Sequence, residues 1–234
     1  MGSIQELKKR AWKNNLALAK SGLTPLTFGN VSAIDRNEGI FAIKPSGVPY
    51  NEIDVDDMVV LDLNLRLIDG KLRPSSDTKT HAVLYRDFPE IGGVAHAHAP
   101  NAVAWAQAMK PIPILGTTHA DLAAMDIPCT RVMSDEMIKG DYEEETGNLI
   151  VQRFSNLSYQ DMPMVLVACH GPFAWGASPE KAVEHCLLLE EIAKIALMTL
   201  IIDGSTPRLK QTLIDKHYNR KHGTNAYYGQ KKRR

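Results

Sequence analysis

An α/β fold is predicted for this 234-residue chain, and three observations carry the prediction. Amphipathic, helix-periodic stretches occur along the chain, the longest over residues 179–203. Short apolar or alternating runs of strand length lie among them, at residues 40–44, 58–63, 65–68 and 164–168. Turn clusters rich in Gly, Pro, Ser and Asn separate the two kinds. The length fits one large domain or two small ones, at about 100–200 residues per domain.

The elements follow in order. Residues 4–21 place Ile4, Leu7, Ala11 and Leu18 on one side of a helix, with Gly22 as its stop. Thr27-Phe28-Gly29-Asn30-Val31-Ser32-Ala33 sets a Gly-Asn pair in an apolar stretch, which suits a tight turn, plain or closely approached by another group. The strand at 40–44 ends in Lys44-Pro45-Ser46-Gly47, a simple turn or a place where backbone N–H groups and a point charge meet a phosphate. Two strands at 58–63 and 65–68 turn at Asn64. Ser75-Ser76-Asp77 precede a helix over 80–87. They fit N-caps, and the same free N–H groups fit an anion. A capping Asp can instead turn its carboxylate outward to a metal.

A helix over 101–110 starts behind Pro100, and a short strand at 112–115 leads to Gly116-Thr117-Thr118-His119-Ala120-Asp121. Asp121 is a candidate general base there, or a solvated loop carboxylate. Residues 141–145 read as an exposed acidic face. The strand at 164–168 runs into Cys169-His170-Gly171-Pro172, with Cys169 alternating away from His170. The helix over 179–203 has Ser178 as N-cap, and Leu187, Ile192, Ile195 and Leu200 supply its buried face; His185 within it is structural. A last helix spans 207–218, followed by a polar tail with Tyr227 and Tyr228 and a basic end over 231–234.

Composition excludes several classes. Lys plus Arg and Asp plus Glu both number 27, so no net field draws nucleic acid or an anionic membrane. Cys129, Cys169 and Cys186 are widely spaced and form no CxxC pair, which fits a reducing cytosol. The charged N-terminus predicts no signal peptide, and the apolar stretch 192–202, broken by Lys194, is too short for a span of about 20 residues.

Chemistry gathers at Gly92-Gly93-Val94-Ala95-His96-Ala97-His98-Ala99-Pro100. In a strand, His96 and His98 point to one face, where two imidazoles suit a divalent metal; a solvated strand face is the plainer alternative. His170 is a candidate third imidazole at a strand end, and Asp77 a candidate carboxylate. Such a set suits Zn²⁺ acting as a Lewis acid on a carbonyl oxygen. With phosphate donors at Gly29-Asn30, Ser46-Gly47 and Ser75-Ser76, the substrate indicated is a small phosphorylated keto sugar.

These motifs, with His170 through Gly176 and the stretch from Asp215-Lys216-His217-Tyr218 to Tyr227-Tyr228-Gly229-Gln230, resemble the class II aldolase/adducin family over about residues 7–230. The Thr-His-Ala-Asp segment and the Tyr-Tyr-Gly-Gln ending resemble its epimerase branch more than its aldolases. The resemblance implies a three-layer α/β sandwich with a central, mainly antiparallel sheet flanked by helices. One domain would span 1–225, with 226–234 a tail completing a neighbouring active site. It implies a cytoplasmic homotetramer with active sites between subunits and one Zn²⁺ per subunit, held by Asp77, His96, His98 and His170. Gly29, Asn30, Ser46, Gly47, Ser75 and Ser76 match substrate- and phosphate-binding positions. Asp121 and Tyr228 match the two proton donors/acceptors, Tyr228 from an adjacent subunit; His217 and Arg220 resemble tail residues near the site. The implied reaction converts L-ribulose 5-phosphate to D-xylulose 5-phosphate by retro-aldol cleavage and re-formation of C3–C4 with inversion at C4. That step serves arabinose and ascorbate catabolism alike. A sugar-phosphate aldolase of the same family and a non-catalytic adducin-like module are the competing readings.

Overall fold

The structure, a computed structural model, describes residues 3–224 and 226–229. Gln230 and the basic end over 231–234 lie outside the described residues. Seven strands form one sheet among the described residues: β1 (Asn30–Asp35), β2 (Ile40–Ile43), β3 (Val59–Asp62), β4 (Leu67–Asp69), β5 (Gly93–His96), β6 (Met164–Val167) and β7 (Gly171–Gly176). Their order is β4-β3-β2-β1-β5-β7-β6, and each pairing is antiparallel.

Side-chain alternation assigns the two faces. Val31 and Ala33 of β1 share a face with Gly93 and Ala95 of β5 and Ala174 and Gly176 of β7. That face lies under α1 (Ser3–Lys20) and α7 (Pro179–Ile202). Its small residues let the helices approach closely: a Cβ on Gly93 would sit 2.3 Å from Pro179 Cα. Asn15 of α1 exchanges two hydrogen bonds with the Val31 backbone, 2.7 and 2.8 Å, fixing helix against strand. The opposite face carries α2 (Thr78–Asp87), where Ser32 Oγ meets His81 Nδ1 and the Tyr85 hydroxyl, both at 2.7 Å. Packed on α2 is α6 (Tyr142–Arg153), brought close by Gly147 against Val83. The α/β three-layer sandwich with its antiparallel sheet is borne out.

The remaining helices are α3 (Pro100–Gln107), α4 (Thr117–Ala120), α5 (Asp135–Lys139) and α8 (Gln211–His222). Four expectations are corrected. The strand at 112–115 is a single bridge, Ile112 to Ile127, because Pro111 and Pro113 lack the N–H groups a ladder needs. The last helix starts at Gln211, not Pro207, since Leu209 N donates to Ile114 O and holds the chain off the helix until then. It then continues through Arg220-Lys221-His222, beyond the expected end at Tyr218. Along α7, Ile192 is buried but Leu187 and Ile195 are 39% and 40% exposed and Leu200 is half-buried. Large apolar residues lie on more than one side of that helix, so they do not select the buried face, which the smaller Ala182, Cys186, Ala193 and Ala196 help to form. Finally, β6 ends at Val167, and Cys169 sits in the following turn with φ +63°, so strand alternation does not place it.

Candidate active site

Three turns and one helix start meet at one end of the sheet. Asn30 opens β1 and His96 closes β5, and the two are cross-strand partners. Gly29 precedes Asn30 at φ +78°, and a Cβ there would lie 2.8 Å from His96 O, so both conformation and space demand glycine. The ladder stops at His96, two residues short of the His98 that the sequence placed in the same strand, yet Ala99 is again extended and His98 stays beside His96. His170 enters from the turn between β6 and β7.

The imidazole nitrogens of His96, His98 and His170 all lie within 4.8 Å of one another. His96 Nδ1 donates to Pro172 O at 2.9 Å, which leaves its Nε2 lone pair facing inward. His170 Nδ1 is 3.3 Å from the Tyr142 hydroxyl. Phe173 stacks on His96 at 4.2 Å, and the Phe28 ring stands 5.1 Å from that of His98. Asp77 occupies the N-cap of α2 without a side-chain capping bond. Its carboxylate instead accepts 2.6 Å from Asn30 Nδ2 and lines the same cavity as the imidazoles, outside the three-histidine cluster itself.

The electrostatics keep this donor set ready. Burial lowers the pKa of His96 and His98 and pushes His170 down to about 4, so all three are neutral ligands near neutral pH. Burial alone would raise Asp77, but its carboxyl lies below the ordinary value, and the hydrogen bond from the Asn30 amide favours the ionised form. Three neutral imidazoles and one carboxylate are a fitting donor set for zinc or a metal of similar preference.

Around them lies a cavity of about 340 Å³ lined by Gly29, Asn30, Ser46, Gly47, Ser75, Ser76, Asp77, His96, His98 and His170. Ten of the residues singled out in the sequence thus converge. Asn30 Nδ2 also donates to Ser75 Oγ at 3.0 Å, joining the serine rim to the carboxylate. Lys44 is 2% exposed behind Ser46 and forms no ion pair among the described residues. Burial pushes its ammonium down to about 8. Tyr142 and Glu143 line the same cavity, which corrects the reading of residues 141–145 as a solvated face. Asp141 caps α6, and Thr80 Oγ1 donates to Glu143 O at 2.6 Å, so the first turn of α6 is drawn against α2 and the site. The Tyr inside the acidic run was the available signal.

Asp121 and Tyr228 do not line this cavity. Asp121 follows α4 and faces α8, accepting from Arg220 Nε and Nη2 at 3.0 and 2.7 Å and from His217 Nδ1 at 3.0 Å. Tyr228 lies on the same cluster, its ring centroid 5.1 Å from the Arg220 guanidinium. His119 is buried and structural, donating from Nε2 to Met125 O at 3.0 Å. His185 bonds the Trp175 carbonyl at 2.6 Å.

An antiparallel sheet between helical layers, with an imidazole cluster where β5 ends and β7 begins, is the arrangement of class II aldolase folds. The chain belongs to that family, described as Class II Aldolase and Adducin N-terminal domain, which matches residues 11–197. The resemblance read from the motifs is borne out. L-ribulose-5-phosphate 4-epimerase UlaF of Salmonella paratyphi B is 47% identical over 228 residues, covering 97% of this chain and 100% of the relative. The protein of the same name from Salmonella paratyphi C matches at 47% with the same coverage. Among solved structures, an L-fuculose 1-phosphate aldolase superposes with TM-score 0.77 at 24% identity, covering 92% of this chain and 95% of the other. One from Glaciozyma antarctica PI12 gives 0.73 at 16%, covering 92% and 81%. At those identities the two structures speak to the fold alone. No helix among the described residues is long and apolar enough to cross a membrane.

Proposed function

We propose that this enzyme epimerises L-ribulose 5-phosphate at C4 to D-xylulose 5-phosphate, with one Zn²⁺ per subunit. One observation carries the reading: three imidazoles and the Asp77 carboxylate share a cavity whose rim is built of Gly29-Asn30, Ser46-Gly47 and Ser75-Ser76. The relatives named for this reaction, 47% identical along nearly the whole chain, support the substrate.

Asp77, His96, His98 and His170 would hold the metal. Bound there, Zn²⁺ supplies a Lewis acid for the ketose oxygens, whose negative charge grows as C3–C4 breaks. The Ser46, Ser75 and Ser76 hydroxyls and the Gly47 N–H offer donors to the phosphate beside the N-terminus of α2, the Ser46 N–H being spent on Arg73 O, and the buried Lys44 adds positive charge. Asp121 and Tyr228, delivered from a neighbouring subunit, work on opposite faces. One removes the C4 hydroxyl proton as the bond breaks, and the other returns a proton once the aldehyde has turned. The phosphate grip retains that fragment, which separates epimerisation from aldol cleavage.

A homotetramer with shared sites fits two features of the chain. Asp121 and Tyr228 sit away from the cavity of their own chain. The outer side of α7 exposes Ile195, Met198, Ile201 and Ile202, an apolar stripe that a second copy would cover. The fitting compartment is the cytoplasm, where the three free thiols stay reduced.

The test follows L-ribulose 5-phosphate with and without chelator. Conversion to D-xylulose 5-phosphate that chelation abolishes and Zn²⁺ restores is the expected result. Free glycolaldehyde phosphate accumulating at the rate of turnover would instead identify an aldolase.

A further inference from the structure

We propose that Arg220 is the positioning residue that binds Asp121 and Tyr228 into one acid–base unit. The inference rests on the function proposed above and adds a residue that works through two others. The Arg220 side chain grips the Asp121 carboxylate with a two-point fork, Nε at 3.0 Å and Nη2 at 2.7 Å. Its backbone carbonyl accepts from both Tyr227 N and Tyr228 N, at 3.0 and 3.1 Å. Its guanidinium also stands 5.1 Å from the centroid of the Tyr228 ring. A single residue of α8 therefore holds a carboxylate from the end of α4 with one end and the tyrosine-bearing segment with the other.

The charges around Asp121 all come from α8. His217 Nδ1 donates to Oδ1 at 3.0 Å, Lys221 Nζ stands 3.7 Å from Oδ2, and His222 Nε2 donates to the Asp121 carbonyl at 2.9 Å. On its own element, His119 faces away, toward Met125. Burial would raise the Asp121 carboxyl, and the hydrogen bonds from Arg220 and His217 with the Lys221 and Arg220 charges overcome it, so the group rests as carboxylate. Asp121 is thus set to accept a proton, and the adjoining Tyr228 places a hydroxyl donor beside it. A planar fork does this with fixed geometry, whereas Lys offers the charge alone.

The experiment compares Arg220→Gln and Arg220→Lys with the parent chain. Zinc content, assembly, the pH profile of kcat and the carboxyl titration of Asp121 are measured, the last by ¹³C-aspartate NMR with Asp121→Asn to assign the signal. The expected result for Arg220→Gln is unchanged zinc and assembly, kcat lower by about tenfold or more, and KM altered by less than about threefold. The acidic limb of kcat and the Asp121 titration both move to higher pH, and Arg220→Lys moves both part of the way back. An Asp121 titration and an acidic limb left where the parent has them overturn the inference. A parent chain that does not epimerise the sugar phosphate overturns the functional reading instead, while the titration still reports whether Arg220 controls Asp121.

Discussion

The Nε2 atoms of His96 and His98 stand 3.2 Å apart. His96 spends its other N–H on Pro172 O, so its Nε2 lone pair points at a neighbour that also offers nitrogen. Two lone pairs at that distance repel unless a proton or a cation lies between them. With His98 neutral and its proton on Nε2, that N–H donates to His96; a bound cation would take the proton's place and be shared by both nitrogens.

Replacing His96 by Asn is accordingly expected to lower zinc affinity by at least about 100-fold, and activity with it, since losing a ligand costs more than losing an outer-shell partner. Metal analysis after dialysis and the epimerase assay read both quantities. A variant with parental zinc content and turnover would remove His96 from the ligand set.

Asp121 and Tyr228 share Arg220 within one chain, so in the proposed assembly with shared sites they would enter a neighbour's cavity together. Mixing His96→Asn chains with Tyr228→Phe chains should therefore restore activity, at about one quarter of the parental rate for an equal mixture, because one site in four draws an intact cavity and an intact tail. Mixing Asp121→Asn with Tyr228→Phe should restore nothing, as each neighbour lacks half of the pair. Recovery in the second mixture and none in the first would show that the two residues act in different sites.

Burial holds His81 down at about 3 and His119 at about 4, both below the ordinary imidazole value of 6.5. The unfolded chain binds those protons as pH falls below about 6.5 and the folded chain does not. The stability tied to the two neutral rings is full above that pH and is lost progressively toward pH 4. Urea denaturation of the chelated protein should show a midpoint that drops steadily across this window, with a shallower drop for His119→Gln. A midpoint independent of pH would mean that neither ring is held neutral by the fold.

On the outer side of α7, Met198 is 52% exposed and Ile202 84%. If a second copy covers that stripe, Met198→Glu buries a charge at the contact and should yield a smaller species by light scattering. Activity should fall by about tenfold or more with it, because the sites are completed across the contact. Unchanged mass and rate would place the assembly surface elsewhere.

Local pattern made much of this protein legible. The Gly-Gly before His96 and the Pro after His98 bounded an extended segment, so two imidazoles on one side followed from strand geometry. Ser178-Pro179 marked the start of α7 to the residue, and Asp77 before an apolar helical run marked α2. Resemblance of the combined motifs supplied what pattern could not, namely which distant residues belong to one site.

Other features were invisible because they depend on what packs against a segment. Pro111 and Pro113 leave an apolar run that looks like a strand but cannot join a ladder. The face that α7 buries was chosen by the small side chains of β5 and β7 beneath it, not by its own periodicity. Tyr142 and Glu143 read as solvated until α6 was laid against α2.

Local periodicity was enough for the class of fold, and short motifs for the residue types suited to a metal or a phosphate, because each motif spans only a few neighbouring positions. It took the packing of the folded chain to set Asp121 beside Tyr228 rather than with the imidazoles. That partition follows from α8 packing on α4, a contact between segments about a hundred positions apart, and no local rule of spacing or propensity reaches that far.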